Sequence, residues 1–279
     1  MRKISALSAI LLACALGACA PQATPNRSAG LDSTEHVAQT LKKAEAGDLE
    51  AQTELCAFGP NSDALYNPAD HGDSWCEKAA EQGSIYAMLD LSGRYDRGLD
   101  REVDHAKAFY WLKRATETRP SDDDIHAPEA YGAMAKTYEL GLSGQKPDQR
   151  ASLKWHLKAA NAGWSNSYID LARMYEAGIG TRQDLKAAAK WYIKAAESGN
   201  SGAALALALV YIKGHGVPRD LRKAFFWDSV GERLSQKYSN CTGSCPHGVF
   251  PYYSGYIPRA ELEAIKGQAD GWEEGKPHP

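Results

Sequence analysis

The stretch WYIKAAESG, from Trp191 to Gly199, occurs in altered form three more times along the chain. Related stretches begin at Trp75 (WCEKAAEQG), at Trp111 (WLKRATETR) and at Trp155 (WHLKAANAG). Small and apolar residues recur in them at every third or fourth position, the spacing that places side chains on one face of a helix. Glycine commonly stands just beyond a helix end. The chain therefore contains several copies of one helix end, which indicates an internal repeat.

The repeat has a period of 36 residues with one longer interval. Tryptophans occur at positions 75, 111, 155, 191 and 227, so the intervals are 36, 44, 36 and 36 residues. A tyrosine precedes each of the last four tryptophans by 16 residues, or by 17 in one case. These tyrosines are Tyr95, Tyr138, Tyr175 and Tyr211. A fixed period in this range indicates an array of small units, each of which needs its neighbours to bury an apolar face.

Each unit is predicted to consist of a helix, a glycine-rich turn and a second helix. In the first helix, Leu171, Ala172 and Tyr175 repeat at helical spacing and form an apolar stripe. Gly178 and Gly180 then permit turn conformations that other residues disfavour. Two helices joined by so short a turn are expected to lie side by side.

The second helix is predicted to start at an aspartate and to end at a glycine. Asp184 and Asp220 stand where a helix N-cap is expected. Trp191 is predicted to fill the gap between the paired helices. Ala195 and Ala196, one turn further on, are predicted to let the next unit pack closely.

Together these residues resemble the Sel1-like repeat, a relative of the tetratricopeptide repeat. The shared pattern is A-x3-L-x3-Y-x2-G-x-G, followed by D-x2-K-A and W-x2-K-A-A-x2-G. The copies at residues 165–199 and 200–234 follow it most closely, those at 85–119 and 127–163 are looser, and the copy at 49–83 is degenerate. The resemblance implies an all-α fold, a right-handed α-solenoid of stacked antiparallel helix hairpins.

The segments on either side of the repeats are predicted to be a targeting signal, a tether and two caps. The predicted division is a lipoprotein signal peptide at 1–18, a flexible tether at 19–33, an N-terminal capping helix at 34–47, about five repeats at 48–234, and a Cys-bridged, aromatic-rich C-terminal cap at 235–279 with a terminal helix at 258–272. Caps are expected because the end units of a solenoid have no further neighbour to cover them.

The first residues have the features of a bacterial secretion signal. Arg2 and Lys3 precede an apolar run that is too short for a membrane-spanning helix. The run ends in LGAC, which resembles the lipobox in which the cysteine, here Cys19, is lipidated and becomes the mature N-terminus. By resemblance to enterobacterial sorting, Ala20 after the cysteine implies an outer-membrane lipoprotein that faces the periplasm of a Gram-negative bacterium. The alternative is a plain signal peptide cut after Ala20, which Pro21 disfavours.

Composition and motifs exclude some classes of partner. The chain has 32 basic and 35 acidic residues, a formal net charge of −3 at pH 7. No basic patch with interleaved aromatic residues occurs, so nucleic acid is not expected as a partner. The G-x-G pairs of the turns follow no predicted strand and are not phosphate loops, and no cofactor is expected.

Four cysteines remain once Cys14 leaves with the signal and Cys19 carries the lipid. An even number of cysteines in a secreted chain predicts disulfides. Cys56 and Cys76 lie on opposite arms of the first predicted hairpin, which favours a bond between them over a redox or metal role.

A second disulfide is predicted between Cys241 and Cys245 near the C-terminal end. With His247, these two cysteines suggest a zinc site as the alternative. A tetrahedral zinc site needs a fourth ligand, and the nearby sequence offers none, so no metal is expected.

A catalytic function has weak support in the sequence. Neither G-x-S-x-G nor H-E-x-x-H occurs. Some cysteine-rich relatives in this repeat family have been described as β-lactamases, and Ser143 with Lys146 forms an S-x-x-K motif. Because the motif lies in a predicted turn and has no K-T-G partner, we expect no enzyme activity. A periplasmic hydrolase that acts on the cell wall or a drug is the alternative.

In the related tetratricopeptide fold, the first helices line a concave face that binds partners. By the register of the repeat, this face is expected to carry a row of charges that a protein ligand contacts, and a merely solvated face is the alternative. The row consists of Asp96, Arg97, Lys136, Glu139, Arg173, Glu176 and Lys213. An aromatic group near the C-terminus is a second candidate anchor, for which packing beneath the cap is the alternative. Its members are Phe250, Tyr252, Tyr253 and Tyr256.

The sequence thus predicts a lipid-anchored periplasmic protein that binds another protein. One version is a scaffold or adaptor in an envelope complex. The other is an immunity protein that neutralises a secreted effector, similar to some repeat lipoproteins of this family found beside type VI secretion effectors. A structural protein associated with peptidoglycan is a third hypothesis.

Overall fold

Helices form the regular structure of the chain. The computed structural model describes residues 30–58, 73–99, 101–119, 125–238 and 253–276, which contain twelve helices and no strand. The helices are α1 (Gly30–Glu45), α2 (Leu49–Phe58), α3 (Asp73–Glu81), α4 (Ile85–Arg97), α5 (His105–Glu117), α6 (Ala127–Leu140), α7 (Gln149–Asn161), α8 (Asn166–Ala177), α9 (Leu185–Glu197), α10 (Ser201–Lys213), α11 (Leu221–Tyr238) and α12 (Arg259–Gly271).

Ten of these helices form five hairpins that stack one on the next. The hairpins, named units 1 to 5, are α2–α3, α4–α5, α6–α7, α8–α9 and α10–α11, while α1 packs on α2 and α12 packs on α11. Helix α4 also contacts α2 and α6, the first helices of the units on either side. First helices therefore lie on the inner, more tightly curved side of the stack, which we call the inner face. This arrangement confirms the predicted all-α solenoid of stacked hairpins.

Both predicted aspartate caps are present. The Asp184 carboxylate accepts a hydrogen bond from the backbone N–H of Ala187 at 2.9 Å. The Asp220 carboxylate accepts from the backbone N–H groups of Arg222 and Lys223 at 2.9 and 3.1 Å. Such caps satisfy donors that the start of a helix leaves unpaired, so the second helices of units 4 and 5 begin where the sequence predicts.

In units 4 and 5, the second glycine of the turn makes a close contact with the preceding unit. Gly180 and Gly216 have φ angles of 70° and 79°. A Cβ atom at either position would collide with a backbone carbonyl of the preceding unit, at Gln149 and at Leu185 respectively. The G-x-G of the motif is therefore required both by the backbone conformation and by the stacking.

Alanines form the junction between successive units. Ala195 and Ala196 of α9, and Ala203 and Ala204 of α10, are fully buried. Because an alanine side chain is a single methyl group, the two helix backbones approach closely without a void. The prediction that Ala195 and Ala196 permit close packing is confirmed.

The repeated tryptophans differ in burial, which their shared motif does not predict. Trp227 of the last unit is fully buried, and its ring meets that of Trp272 edge-on with centroids 5.5 Å apart. Trp155 and Trp191 are only half-buried, so Trp191, which packs against the core, fills the predicted gap with only part of its ring. The outer helix α12, which carries the chain to Trp272, accounts for the difference at Trp227.

In the other four units, the cation of the W-x2-K motif covers the tryptophan ring. The distances from the cation to the ring centroid are 4.1 Å for Lys78 over Trp75, 5.2 Å for Arg114 over Trp111, 4.9 Å for Lys158 over Trp155 and 4.7 Å for Lys194 over Trp191. A cation over the face of an indole ring contributes about 0.5–1 kcal/mol at an exposed site. In units 1, 3 and 4 the motif lysine therefore covers a ring that the core leaves partly exposed, whereas Arg114 lies over the buried Trp111.

The two ends of the stack are helical, as predicted, with shifted bounds. Helix α1 begins at Gly30, so residues 30–33, which the sequence assigns to the tether, are helical. Helix α12 runs from Arg259 to Gly271, within one residue of the prediction at each end. Tyr253 is fully buried with its ring 5.0 Å from that of Phe225, whereas Tyr256 is 63% exposed. These two tyrosines do not form one exposed anchor.

Other predicted features lie outside the described residues. They are the lipidated Cys19, the bridge or zinc site of Cys241, Cys245 and His247, and the aromatic residues Phe250 and Tyr252. Among the helices that the structure describes, none is long and apolar enough to cross a membrane.

Asp228 in α11 gives the last unit a pH-dependent stability. Burial, with a contribution from the nearby Glu232, raises the pKa of Asp228 from 3.8 to about 7. A raised pKa in the folded state means that stability is highest at low pH and falls as pH rises from about 4 to about 7. We expect Asp228→Asn to raise the free energy of unfolding by about 2 kcal/mol at about pH 8, since each pKa unit is worth about 1.4 kcal/mol before solvent screening. Urea unfolding at about pH 5 should show a smaller difference.

Candidate protein-binding face

The residue that follows each repeated tryptophan occupies the same register position of the second helix in all five units, and Cys76 and His156 contact the next unit from it. Four of these residues are buried and the fifth, Asp228, is partly buried. They form what we call the junction row, which comprises Cys76, Leu112, His156, Tyr192 and Asp228. Three members of the row, Cys76, His156 and Tyr192, lie close to carboxylates of the first helices.

Lys136 joins two units across the inner face. Its ammonium group donates to Glu139 in the same helix at 2.8 Å and forms an ion pair with Asp170 of the next unit at 3.0 Å. Partial burial lowers the pKa of Lys136, but the hydrogen bonds to the two carboxylates outweigh it and raise the pKa above its ordinary value. Lys136 and Glu139, both predicted on this face, thus form one ion-pair cluster with Asp170.

His156 lies beneath this cluster and is almost completely buried, with 1% of its side chain exposed. Its Nδ1 is 3.0 Å from the hydroxyl of Ser167 in the next unit. Its Nε2 is 3.6 Å from Glu139 and 4.0 Å from Asp170, beyond hydrogen-bond distance. Burial lowers the pKa of His156, partly opposed by the charge of Asp170, so the imidazole is neutral at pH 7.

The same arrangement recurs one unit later with a tyrosine. The Tyr192 hydroxyl donates to the Glu176 carboxylate at 2.7 Å, as His156 faces Glu139 in unit 3. Burial and this hydrogen bond raise the pKa of Tyr192, and the nearby charge of Arg173 lowers it by less. Glu176 therefore accepts a hydrogen bond from a member of the junction row, as a fixed internal contact.

Asp96 connects unit 2 to the turn of unit 3. Its carboxylate accepts from the Ser143 hydroxyl at 3.1 Å and lies 2.8 Å from Nδ1 of His105. Ser143 is 7% exposed and has a left-handed backbone, with φ of 50°. Lys146 makes no hydrogen bond to Ser143 among the described residues and lines an open cleft of about 750 Å³. The S-x-x-K motif of the hydrolase hypothesis thus forms a link between units.

In unit 1, Cys76 at the corresponding register position forms a disulfide. Cys56 and Cys76 are bonded, with Cα atoms 4.6 Å apart. Asp90 of the next unit lies 3.5 Å from the Cys76 sulfur and pairs with Arg94 at 2.5 Å. The two sulfurs and this carboxylate lie close enough for a metal site, but sulfurs joined to each other are not thiolate ligands. The bond joins the two helices of unit 1, α2 and α3, to each other.

The remaining predicted residues, Arg97, Arg173 and Lys213, are exposed cations. Arg97 donates to the backbone carbonyl of Gly93 at 3.1 Å. Within the part of the chain that the structure describes, none of the three cations forms an ion pair. The seven predicted residues therefore divide into four whose side chains pair with other side chains and three exposed cations that form no ion pair among the described residues.

Sequence reasoning missed His156, Asp170 and Tyr192. A signal for them existed in the register, because aspartate occurs five residues before the repeat tyrosine in two units, as Asp90 and Asp170. The residue after each tryptophan also changes chemical type from unit to unit, which is unusual beside so regular a motif. However, which side chains meet across a junction depends on how the units stack. The sequence of one unit does not contain that information.

His156→Leu is expected to make the protein less sensitive to acid. Since the folded-state pKa of His156 is lowered below 6.5, protonation favours the unfolded chain, and stability falls as pH drops below about 6.5. Leucine is tolerated at this position, because Leu112 occupies it in unit 2. Urea unfolding at about pH 7 and about pH 5 should show a smaller loss for the variant than for the wild type. An equal loss would mean that His156 does not titrate differently in the two states.

The stacked hairpins and the charged inner face define a helical-repeat scaffold. The family is the Sel1 repeat, whose profile matches residues 74–84, 85–117, 128–164, 165–200 and 201–227, together just over half of the chain. The chain belongs to the Sel1 repeat family. Among proteins of curated function, none matches the chain.

Two solved structures are similar to the chain over most of its length. A Sel1 repeat protein from Oxalobacter formigenes is 30% identical, with a TM-score of 0.61, and the match covers 73% of this chain and 56% of that one. A protective antigen of uropathogenic Escherichia coli that has an SLR fold is 24% identical, with a TM-score of 0.64, and the match covers 88% of this chain and 54% of that one. The chain thus spans about half the length of these structures, and the second likeness concerns the fold alone.

Proposed function

We propose that this chain is a periplasmic protein-binding module whose partner lies along the inner face. The observation that carries the proposal is the contrast on that face between charges held internally and the exposed Arg97, Arg173 and Lys213. Solenoids of this kind expose long curved surfaces that suit protein ligands. Two exposed leucines, Leu140 and Leu209, at 61% and 53% exposure, add apolar area on first helices of the same stack.

Affinity capture tests whether such a partner exists. The bait is the chain from residue 20 onward, made without the lipid, and the prey is envelope extract from the native organism. We expect one stoichiometric partner, identified by mass spectrometry, that the Arg173→Glu/Leu209→Asp variant fails to capture. Capture that is equal for this variant and the parent would show that the inner face does not bind the partner. A blank that persists after cross-linking would count against the proposed function.

The N-terminal residues support a lipid anchor for this module. The LGAC stretch, which ends at Cys19, resembles a lipobox, and Ala20 in place of aspartate favours the outer membrane. We expect Cys19→Ala to move the protein from the membrane fraction to the soluble fraction of fractionated cells. Retention in the membrane fraction would remove the anchor from the proposal.

The identity of the partner separates the two versions of the function. A resident envelope protein would make the chain a scaffold or adaptor. A secreted toxin, above all a phospholipase encoded by a neighbouring gene, would make it an immunity protein, and co-expression should then protect cells that carry the toxin in the periplasm. Loss of protection in the Arg173→Glu/Leu209→Asp variant is the expected result for an immunity protein that uses the inner face.

A further inference from the structure

Arg173 occupies the same place in unit 4 as Lys136 does in unit 3. Each lies two residues before the repeat tyrosine, Tyr175 and Tyr138 respectively. Lys136 reaches across the junction and pairs with Asp170 of the next unit at 3.0 Å. A cation at this register position is therefore placed to contact a carboxylate on the following first helix.

The following first helix offers Arg173 no carboxylate. The position that corresponds to Asp170 in unit 5 is Ala206, five residues before Tyr211. The acid on the same helix as Arg173 is Glu176, and it accepts the hydrogen bond of Tyr192. Among the described residues, Arg173 forms neither an ion pair nor a hydrogen bond. Its guanidinium thus lacks the cross-unit partner that the repeat supplies to Lys136.

Arg173 has two exposed neighbours in the register of unit 5. Leu209, in the position of Lys136 and Arg173, is 53% exposed. Lys213, one helical turn further, is exposed and has no ion pair within the described ranges. We call Arg173, Leu209 and Lys213 the Arg173 patch. By the register of the repeat, the patch places two cations, neither in an ion pair within the described residues, beside an apolar side chain.

The acids of the first helices do not compete for this patch. Those of units 2 to 4 each have a partner: Asp90 with Arg94, Asp96 with Ser143 and His105, Glu129 with His126, Glu139 and Asp170 with Lys136, and Glu176 with Tyr192. Helix α10 of unit 5 has no acidic residue. The acids of these helices thus already accept internal hydrogen bonds or ion pairs, whereas Arg173 and Lys213 form no ion pair among the described residues.

We propose that the Arg173 patch binds a carboxylate side chain from an extended acidic segment of a partner protein. This carboxylate would pair with Arg173 as Asp170 pairs with Lys136 one unit earlier. The proposal rests on the proposed function and names the chemistry of the partner. Arginine suits this task, because its planar guanidinium binds a carboxylate through two parallel hydrogen bonds. An apolar residue beside the acid would pack on Leu209 and exclude water from the pair, which strengthens it.

Two peptides and two pairs of variants test the proposal. The probes are a short fluorescein-labelled peptide of alternating glutamate and leucine and the same peptide with glutamine in place of glutamate, and binding is measured by fluorescence anisotropy. Ala206→Asp places a carboxylate where Asp170 stands one unit earlier, so that it pairs with Arg173 and blocks the patch. Ala206→Asn is its uncharged control of the same shape. Arg173→Gln removes the cation, and Arg182→Gln, on an exposed turn, is the matched control.

We expect the glutamate peptide to bind the wild type about tenfold more tightly than the glutamine peptide, a difference of about 1.4 kcal/mol. Arg173→Gln and Ala206→Asp should each abolish that difference, whereas Arg182→Gln and Ala206→Asn should keep it. Added salt should weaken only the glutamate peptide. Equal binding of the two peptides, or a preference that survives Arg173→Gln, would overturn the proposal.

The outcomes also separate this inference from the proposed function. Suppose that capture of the envelope partner depends on Leu209, but that Arg173→Gln captures it as well as the wild type does. In that case the inner face binds a partner and the carboxylate inference fails. If the peptides discriminate as expected and the capture is blank, the patch binds acidic segments while the proposed function lacks its partner. Circular dichroism of each variant shows that it is folded.

Discussion

Trp227→Ala should lower the free energy of unfolding by about 3–5 kcal/mol, the range for a large aromatic residue lost from a core. Trp227 is completely buried and its ring contacts those of Phe226 and Trp272, with centroids 5.3 and 5.5 Å away. Its loss would remove the ring contact between α11 of the last unit and Trp272, which directly follows the capping helix α12. Urea unfolding, followed by circular dichroism, measures the change.

Trp191→Ala is the matched control, because the same motif residue is only half-buried in unit 4 and is covered by Lys194. We expect a loss that is smaller by at least about 1 kcal/mol, since less apolar area leaves water on folding. Equal losses for the two variants would contradict the view that α12, rather than the motif itself, determines how much Trp227 contributes.

Removal of the Cys56–Cys76 disulfide should cost about 3 kcal/mol, because the bond closes a loop across 20 positions of sequence and restricts the unfolded chain. The replacement Cys56→Ala/Cys76→Ala leaves no buried thiol unpaired. Loss of stability should be concentrated at the N-terminal end, where the core cluster that contains both cysteines is separate from the larger one around Trp227.

Hydrogen exchange locates the effect of this substitution. We expect faster exchange in α2 and α3 and unchanged exchange in α10 and α11, since units of a solenoid contact only their neighbours. In α2 and α3, wild-type protein treated with a reductant should exchange like the double variant. Uniform acceleration along the whole chain would mean that the stack unfolds as one cooperative body and that the bond does not act locally.

The repeat could be predicted from the sequence because its signals are local. The spacing from Tyr175 to Trp191, the aspartate at Asp184 and the glycine at Gly199 each specify structure within one hairpin, and all three act as predicted. The degree of burial of Trp227 could not be predicted, because it depends on the position of α12, some thirty residues further along the chain.

The charges of the inner face could likewise be predicted only in part from the sequence. Its seven predicted residues were found by register, but whether each one is available depends on contacts between units. Lys136 is held by Asp170, while Arg173 has Ala206 at the equivalent place. Periodicity places a side chain on a face, but the residue across the junction, which follows no motif, decides whether that side chain can bind a partner.

One measurement tests most directly the claim that the inner face binds a protein. The dissociation constant of the captured partner is compared for the wild type, for Arg173→Glu/Leu209→Asp on the inner face, and for Lys154→Glu/Lys190→Glu on exposed positions of the second helices. We predict a loss of affinity of at least about a hundredfold, or about 2.7 kcal/mol, for the inner-face variant and less than about threefold for the control. Comparable affinity of the inner-face variant and the wild type, or a larger loss in the control, would contradict the account.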